Sequence, residues 1–362
     1  MDLKLEKVNY RLACPEDNDK LLHLVDSISM GEKFEIIFKR NPNFFYACEI
    51  QGFSCQTAVA EQEDNTICAS CSRILKHAYI NGKADVLGYI SDLRISPTAK
   101  KMRILSNVSE FIKQLRSDNK AAIHLATITH DNKNAKIALT WKNKSSSIPN
   151  LYDLGTIHTC FVIPVFKKKQ KNNLIIQRGS MDILDNIVSF LNKEGSRKQF
   201  YPVYTKEYFL NLRDFHIEDF CAAYNNENQI IGVIAKWEQT NFKQTFLKKY
   251  HGKMKWTQKI VGSFLPKEGE NIKHVYFSFI AIQNDDIQIL KNLLLHMYSD
   301  MRKQKYTYFV IGFHETDPLN KAVQSFYTIT YKSQLYAVEY KSDSEIELML
   351  DQRIPYIEIA AL

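Results

Sequence analysis

The sequence lacks the long apolar runs that membrane-spanning and secreted proteins carry. Nowhere do about 18 apolar residues follow one another without a charge, and the first ten residues, MDLKLEKVNY, contain no apolar stretch typical of a signal peptide. Cysteines number seven, an odd count in a chain long enough to fold without disulfides, which favours reduced thiols. We therefore expect a cytoplasmic protein without disulfides and without a membrane segment.

Several signatures of catalysis and metal binding are also missing. The ten histidines form no H-x-x-x-H or H-E-x-x-H pattern, and neither a G-x-S-x-G elbow nor a Walker loop occurs. These absences argue against zinc hydrolysis, serine hydrolysis and P-loop chemistry. Cys68 and Cys71 have the spacing of half a zinc site, but a structural zinc usually needs a second pair, so we expect buried thiols and no metal.

The charge of the chain is basic but evenly distributed. A formal charge of +8, from 48 basic and 40 acidic residues, helps to attract polyanions such as a phosphate-bearing cofactor. Lys and Arg do not alternate with aromatic residues in a stripe, so nucleic-acid binding is not favoured. At 362 residues, with 45% hydrophobic residues, the chain is expected to form two globular domains.

The two halves of the chain show the same order of predicted elements. Each half is predicted to run as helix, antiparallel hairpin, strand, long helix, strand, short helix and strand. In the first half, EKFEIIFKRNPNFF is predicted to be a second helical segment that ends at Asn41-Pro42. A basic run from Phe166 onward predicts a boundary, with domains at 1–166 and 179–362 and a linker at 167–178. A surface turn within one domain is the alternative.

The stretch ISPTAKKMRIL, Ile95 to Leu105, is predicted to be the end of a strand that turns into a helix. The turn carries three basic side chains and no glycine, and the apolar face of the helix begins at Met102, Leu105 and Val108. The orphan N–H groups of a helix start and its dipole attract anions. The sequence thus leaves open whether this turn binds phosphate.

This order of elements resembles the GCN5-related N-acetyltransferase (GNAT) fold. In that family the central strand ends in Val-x-Pro-x-x-Arg/Gln-x-x-Gly-x-Gly/Ala, whose backbone N–H groups hold the pyrophosphate of acetyl-CoA. Ile95, Pro97 and Lys100 match the first part of that motif, whereas Arg103 and Leu105 replace its glycines. The resemblance implies an α/β (α+β) fold: two tandem GNAT-like acyl-CoA N-acyltransferase domains, each a mixed, mostly antiparallel sheet flanked by helices.

The resemblance also implies a cofactor, acetyl-CoA or another acyl-CoA, and a set of residues beside it. These cofactor-binding residues are Leu93, Ile95, Lys100, Lys101, Met102, Arg103, Ile104 and Asn132. Lys100, Lys101 and Arg103 would neutralise phosphate by side-chain charge where the family uses glycine-cradled backbone. The alternative is that they are ordinary exposed residues of a helix and that the turn is a remnant.

A second family motif, Asn-x-x-Ala-x-x-Leu/Phe-Tyr, supplies a tyrosine that often protonates the leaving thiolate. Asn132 fits in the first half, but its tyrosine position is Thr140. Tyr327 occupies that position in the second half, where Asp285 and Asp286 would repel a pyrophosphate. The resemblance therefore implies a cofactor site in the first half and Tyr327 as a candidate catalytic acid.

Asp92, near the end of the central strand, is the candidate catalytic base for an amine acceptor. Alternatively, Asp92 pairs with Arg94 or caps nearby backbone. The function that the resemblance implies is acyl-CoA-dependent N-acyl transfer to an amine, on a small molecule or a peptide. A degenerate GNAT pair that serves as a binding or scaffold module, and a Fem-like transferase that uses aminoacyl-tRNA, are the alternatives. The sequence specifies neither the acceptor nor the oligomeric state.

Overall fold

A computed structural model of the chain describes residues 8–31, 34–99, 101–140, 148–164, 174–252, 267–340 and 350–362. The strands are β1 Asn9–Leu12, β2 Ser29–Met30, β3 Phe34–Lys39, β4 Ser54–Glu61, β5 Ile67–Ile80, β6 Lys83–Ile95, β7 Ile123–Thr129, β8 Asn150–Val162, β9 Ile175–Arg178, β10 Phe220–Tyr224, β11 Ile230–Trp237, β12 Gln244–Tyr250, β13 His274–Ile282, β14 Tyr308–His314 and β15 Thr328–Glu339. The helices are α1 Asn18–Asp26, α2 Phe44–Glu49, α3 Lys101–Arg116, α4 Lys133–Thr140, α5 Leu184–Gly195, α6 Lys206–Leu210, α7 Ile287–Lys303 and α8 Asn320–Val323.

Twelve of these strands form one sheet in the order β1-β4-β5-β6-β7-β15-β8-β14-β13-β11-β10-β9. Neighbouring strands are antiparallel except for β6 beside β7 and β13 beside β14, which are parallel. The predicted fold class, a mixed and mostly antiparallel sheet flanked by helices, is confirmed. The two halves do not keep separate sheets, however, because their strands join edge to edge.

The halves are joined by an exchange of their closing strands. β15, from the second half, lies between β7 and β8 of the first half, and β8 lies between β15 and β14. Each half therefore completes the sheet of the other. Strand order along the chain does not reveal this exchange, because a closing strand can pair with either half.

Two predicted segments differ from the structure. The segment predicted to be helical before Asn41 contains β3, which pairs with β12 of the second half in a small sheet of order β12-β3-β2. Its residues Phe34–Lys39 are mostly aromatic or β-branched, and pairing with β12 decides their conformation. Of the predicted linker 167–178, the part up to 173 lies outside the described residues, and Ile175–Arg178 is strand β9, paired with β10.

Helices cover both faces of the sheet in the first half. Ile104 and Val108 of α3 pack with Ala58 of β4 on one face, whereas Leu21 of α1 packs with Val59 of β4 on the other. The loop from α1 through β3 to α2 therefore lies on the face opposite α3. Within the ranges given above, no helix is long and apolar enough to cross a membrane, and all seven cysteines are free thiols.

Candidate functional site

Two slots open in the sheet where parallel strands separate. β6 and β7 pair only from Leu87 with Ile123 to Ile90 with Ala126, after which residues 91–95 and 127–129 diverge. We call this opening the first slot. β13 and β14 likewise pair only near their starts, so residues 277–282 and 311–314 form a second slot. Each half thus presents one opening at the carboxyl ends of two parallel strands.

A β-bulge lies beside each slot at the same position. Ser72 pairs with Ser91 but Ser70 pairs with Arg94, so Asp92 and Leu93 of β6 lie opposite one residue of β5. Asp92 has a φ of 52°, unusual for a residue other than glycine. A bulge interrupts the hydrogen-bond ladder and redirects the backbone of the bulged strand.

The second half repeats this bulge in β13. Ala235 pairs with Ser278 but Val233 pairs with Ala281, and Phe279, which corresponds to Asp92, has a φ of 56°. The internal repeat therefore extends from element order to the backbone conformation of a single residue.

The second slot is filled by the chain itself. Glu358 is buried, and its Oε2 accepts hydrogen bonds from Phe279 N at 2.9 Å and from the Tyr356 hydroxyl at 2.8 Å. A Cβ on Gly312 in β14 would collide with Ile359, which shows how closely this segment packs against the strand. Burial raises the pKa of Glu358. The bulge N–H of the second half thus already holds a carboxylate oxygen.

The turn beyond the second slot is also occupied. The Asp286 side chain accepts from Gln288 N at 2.7 Å and so caps the start of α7. Lys198 Nζ lies 3.0 Å from Asp285 Oδ1 and 2.9 Å from Asp317 Oδ2. The acidic pair that the sequence predicts to repel phosphate therefore lies at the helix start, where these contacts hold it.

The turn beyond the first slot has a different composition. Lys100 lies outside the described residues, and so do the side chains of Lys101 and Met102, whose backbone begins α3. Arg103 is exposed on the first turn. Ile104 is buried, so only its backbone is available to a ligand.

Two more predicted cofactor-binding residues lie on β6 beside the first slot. Ile95 is partly buried in the α3 core, whereas the side chain of Leu93, in the bulge, is 38% exposed. The described residues among those predicted between 93 and 104 therefore lie together at one end of this slot.

Asn132 follows β7 at the end of the first slot, whereas Tyr327 lies away from that slot. Asn132 Oδ1 accepts from Ala135 N at 3.0 Å, so this side chain caps α4. Tyr327 is 59% exposed and comes just before β15. The residue of β15 that reaches the first slot is Gln334, which pairs with Ile128 of β7 and lies seven residues after Tyr327 (327 to 334). At ~3.3 Å per residue this separation is roughly 20 Å. The structure does not bring Asp92 and Tyr327 into one site.

Asp92 lies in a buried ion pair. Its Oδ1 is 2.6 Å from Arg40 Nη2 and 3.8 Å from Arg94 Nη2. Burial alone would raise the pKa of Asp92, but the charges of Arg40 and Arg94 outweigh that effect and lower it. Arg94 is the partner that the sequence suggested, and Arg40 is one that it did not, because Arg40 follows a strand that was predicted to be a helix.

Two further lysines were not predicted from the sequence, and of these Lys243 interacts with this pair. Lys243, from the second half, donates to the backbone oxygens of Leu362 at 2.6 Å and Ala360 at 3.1 Å, and burial together with the Arg40 charge lowers its pKa to about 7. Lys76 of β5 is buried over the Tyr89 ring, and burial lowers its pKa to about 8. No sequence motif marks either lysine.

Comparison with known proteins supports the fold. No protein-family model and no curated protein sequence matches the chain. Among solved structures, the chain is similar to a glucosamine N-acetyltransferase region of a fungal multi-domain β-N-acetylglucosaminidase, with a TM-score of 0.64 and 11% identity over 93% of this chain. The chain spans 38% of that fungal chain.

Two further structures match along most of their length. Saccharomyces cerevisiae N-myristoyltransferase with bound myristoyl-CoA has a TM-score of 0.63 and 11% identity, over 95% of this chain and 85% of that one. A GCN5-related N-acetyltransferase from Sphaerobacter thermophilus has a TM-score of 0.59 and 8% identity, over 98% of each chain. The resemblance to tandem GNAT proteins is therefore confirmed for the fold.

Proposed function

Since the chain has two GNAT folds in tandem, we propose that it transfers an acyl group from acyl-CoA to an amine and that the cofactor lies in the first slot. The observation that carries this proposal is the contrast between the two bulges. Glu358 occupies the bulge N–H of the second half. Among the described residues, no side chain accepts a hydrogen bond from the corresponding N–H of Asp92.

The bulge supplies the chemistry that acyl transfer needs. Phe279 N binds a carboxylate oxygen, and Asp92 N has the same backbone conformation in the matching position. In this proposal the thioester oxygen accepts from Asp92 N, which stabilises the negative charge that develops on that oxygen. The ammonium first loses a proton to water, and the neutral amine then forms the new C–N bond. As the C–S bond breaks, the second proton on that nitrogen passes through water to the sulfur, and CoA leaves as the thiol.

Residues 96–99 and the first turn of α3 hold the phosphates in this proposal. The first N–H groups of α3 lack helical partners and carry the positive end of the helix dipole. Arg103 adds an exposed charge on the same turn, whereas the matching turn of α7 begins with the acidic cap Asp286. This difference favours the first half for an anionic cofactor. Asp92 positions the acceptor, because its lowered pKa makes it a weak base.

Titration calorimetry with CoA, acetyl-CoA and a long-chain acyl-CoA tests the proposal. We expect heat of binding from at least one of these ligands, and release of free thiol when a suitable amine is added. Absence of binding by all three ligands would contradict the proposal and favour a binding or scaffold module.

A matched pair of variants tests which half binds. Arg103→Glu on α3 should weaken CoA binding at least tenfold, about 1.4 kcal/mol, because it replaces an attractive charge with a repulsive one. Gln288→Glu places the same acid on the exposed first turn of α7 and should leave affinity unchanged. The reverse pattern, with only Gln288→Glu weakening binding, would move the cofactor to the second half.

A further inference from the structure

A buried basic cluster lies beside the first slot, formed by Arg40, Asp92, Arg94 and Lys243. Arg40 comes from the segment after β3, Asp92 and Arg94 from the bulged end of β6, and Lys243 from the residues before β12. Arg40 is 6% exposed, and the side chains of Asp92 and Arg94 are nearly as buried. Both halves of the chain therefore contribute to this cluster.

The cluster contains three buried polar atoms without hydrogen-bond partners. These atoms are Arg40 Nη1, Arg94 Nε and Asp92 Oδ2. The ion pair between Arg40 and Asp92 uses one atom of each group, and Arg94 Nη2, at 3.8 Å, lies beyond hydrogen-bonding distance of Asp92. Buried polar groups are nearly always paired in native proteins, so three orphans in one place indicate a missing ligand or water.

The charges of the cluster indicate what kind of ligand is missing. Two guanidinium groups, of Arg40 and Arg94, face the Asp92 carboxylate. The Lys243 ammonium lies beside them and donates to the backbone oxygens of Leu362 and Ala360. Two of the orphan atoms are guanidinium donors, which pair best with a carboxylate or another oxyanion. The third, Asp92 Oδ2, accepts hydrogen bonds and attracts a cation such as an ammonium.

We propose that the acceptor is an amino-acid-like amine, whose anionic group binds Arg40 and Arg94 while its amino group binds Asp92 Oδ2. This inference depends on the proposed function in one respect, since it takes the bound amine to be the acyl acceptor. Asp92 is the bulge residue, so an amine on its carboxylate lies beside the position assigned to the thioester carbon. The buried cluster favours a compact ligand with amine and carboxylate close together.

Direct binding to the protein without CoA tests this inference independently of acyl transfer. Ligand-observed NMR would compare free amino acids with their amides, for example aspartate with aspartic acid α-amide and glycine with glycinamide. We expect at least one free amino acid to bind at least tenfold more tightly than its α-amide. A peptide that begins with aspartate keeps the side-chain carboxylate but has no free α-carboxylate beside its amine, so it separates recognition of the two groups. Tighter binding of that peptide than of free aspartate would overturn the proposal that the acceptor is a free amino acid.

Arg94→Gln is the informative variant, because Arg94 makes no hydrogen bond to Asp92 and the ion pair of Arg40 stays intact. This variant should remove the preference for the acid over the amide. Arg213→Gln is the control, since Arg213 also has an unpartnered buried Nε but pairs with Glu49 outside the cluster. Equal binding of acids and amides, or no binding of either, would overturn the inference whether or not calorimetry shows CoA binding. A preference that survives in Arg94→Gln would overturn it too.

Discussion

Glu358 brings a carboxylate into the interior of the second half. Its oxygens accept from Phe279 N, the Tyr356 hydroxyl and Ala360 N, yet burial still raises its pKa. A raised folded-state pKa means that folding favours the protonated form. The resulting contribution to stability is fully present below the unfolded-state pKa and is lost as pH rises through the folded-state value.

Glu358→Gln tests this residue-scale account, because glutamine has nearly the same shape and does not titrate. The free energy of unfolding of the variant, minus that of the wild type, should rise with pH from about 4. Each unit by which the folded-state pKa exceeds the unfolded one adds about 1.4 kcal/mol to this rise. Urea denaturation between pH 4 and 8 measures it, with the exposed Glu207→Gln as control. A difference that stays constant across this range would contradict the account.

At the scale of elements, the position of α3 depends on a buried network at its far end. Arg73 of β5 is fully buried and donates to both oxygens of Asp118 and to the carbonyl of Leu115. His124 of β7 lies against it, with Nε2 at 3.1 Å from Arg73 Nε. This network fixes the C-terminal end of α3 on the sheet. The N-terminal end of the same helix forms the turn beside the first slot.

Asp118→Asn should destabilise the protein by about 2–4 kcal/mol, because it leaves the buried guanidinium of Arg73 without its counter-charge. The hydrogen bond from Arg73 lowers the pKa of Asp118 to about 2. Its stabilisation is therefore present above the unfolded-state pKa and is lost as pH falls towards 2, so the variant should approach the wild type in acid. Chemical denaturation at pH 7 and pH 3 measures this effect. Asp182→Asn, at an exposed position, is the control, and an equal loss there would contradict it.

Sequence periodicity predicted most elements but not their partners. The amphipathic stripe of α3 and the two hairpins were visible because each depends on neighbouring residues. β3 was predicted to be a helix, since its pairing with β12 involves residues over 200 positions away. Arg40 lies 52 positions from Asp92 in the sequence, and Lys243 comes from the second half. The sequence therefore suggested Asp92, its neighbour Arg94 and the turn at 95–105 as candidates, but neither Arg40 nor Lys243.

At the scale of the whole molecule, the exchange of β8 and β15 makes the halves interdependent. The proposed division into residues 1–166 and 179–362 follows the repeat along the chain, but each half lacks a neighbour for its closing strand. An open strand edge beside an exposed core favours aggregation. The strand exchange therefore predicts that both halves are needed for either one to fold.

Expression of residues 1–164 and 174–362 as separate chains tests this interdependence. We expect each chain alone to be unfolded or aggregated by circular dichroism and size-exclusion chromatography. Coexpressed, the two should copurify as one complex with the secondary structure of the intact protein. A monomeric, cooperatively folded half on its own would contradict the prediction.

The most direct test of the central claim is hydrogen exchange measured by mass spectrometry with and without a non-hydrolysable acyl-CoA analogue. If the first slot holds the cofactor, amides at 91–99 and 101–104 should exchange more slowly with the analogue bound. Amides at 277–290 and 311–314 should be unchanged, because Glu358 and Asp286 already accept from Phe279 N and Gln288 N, and residues 311–314 pair with β8 and pack against Ile359. Slower exchange confined to 277–290 and 311–314, or no change in either region at saturating analogue, would contradict the account.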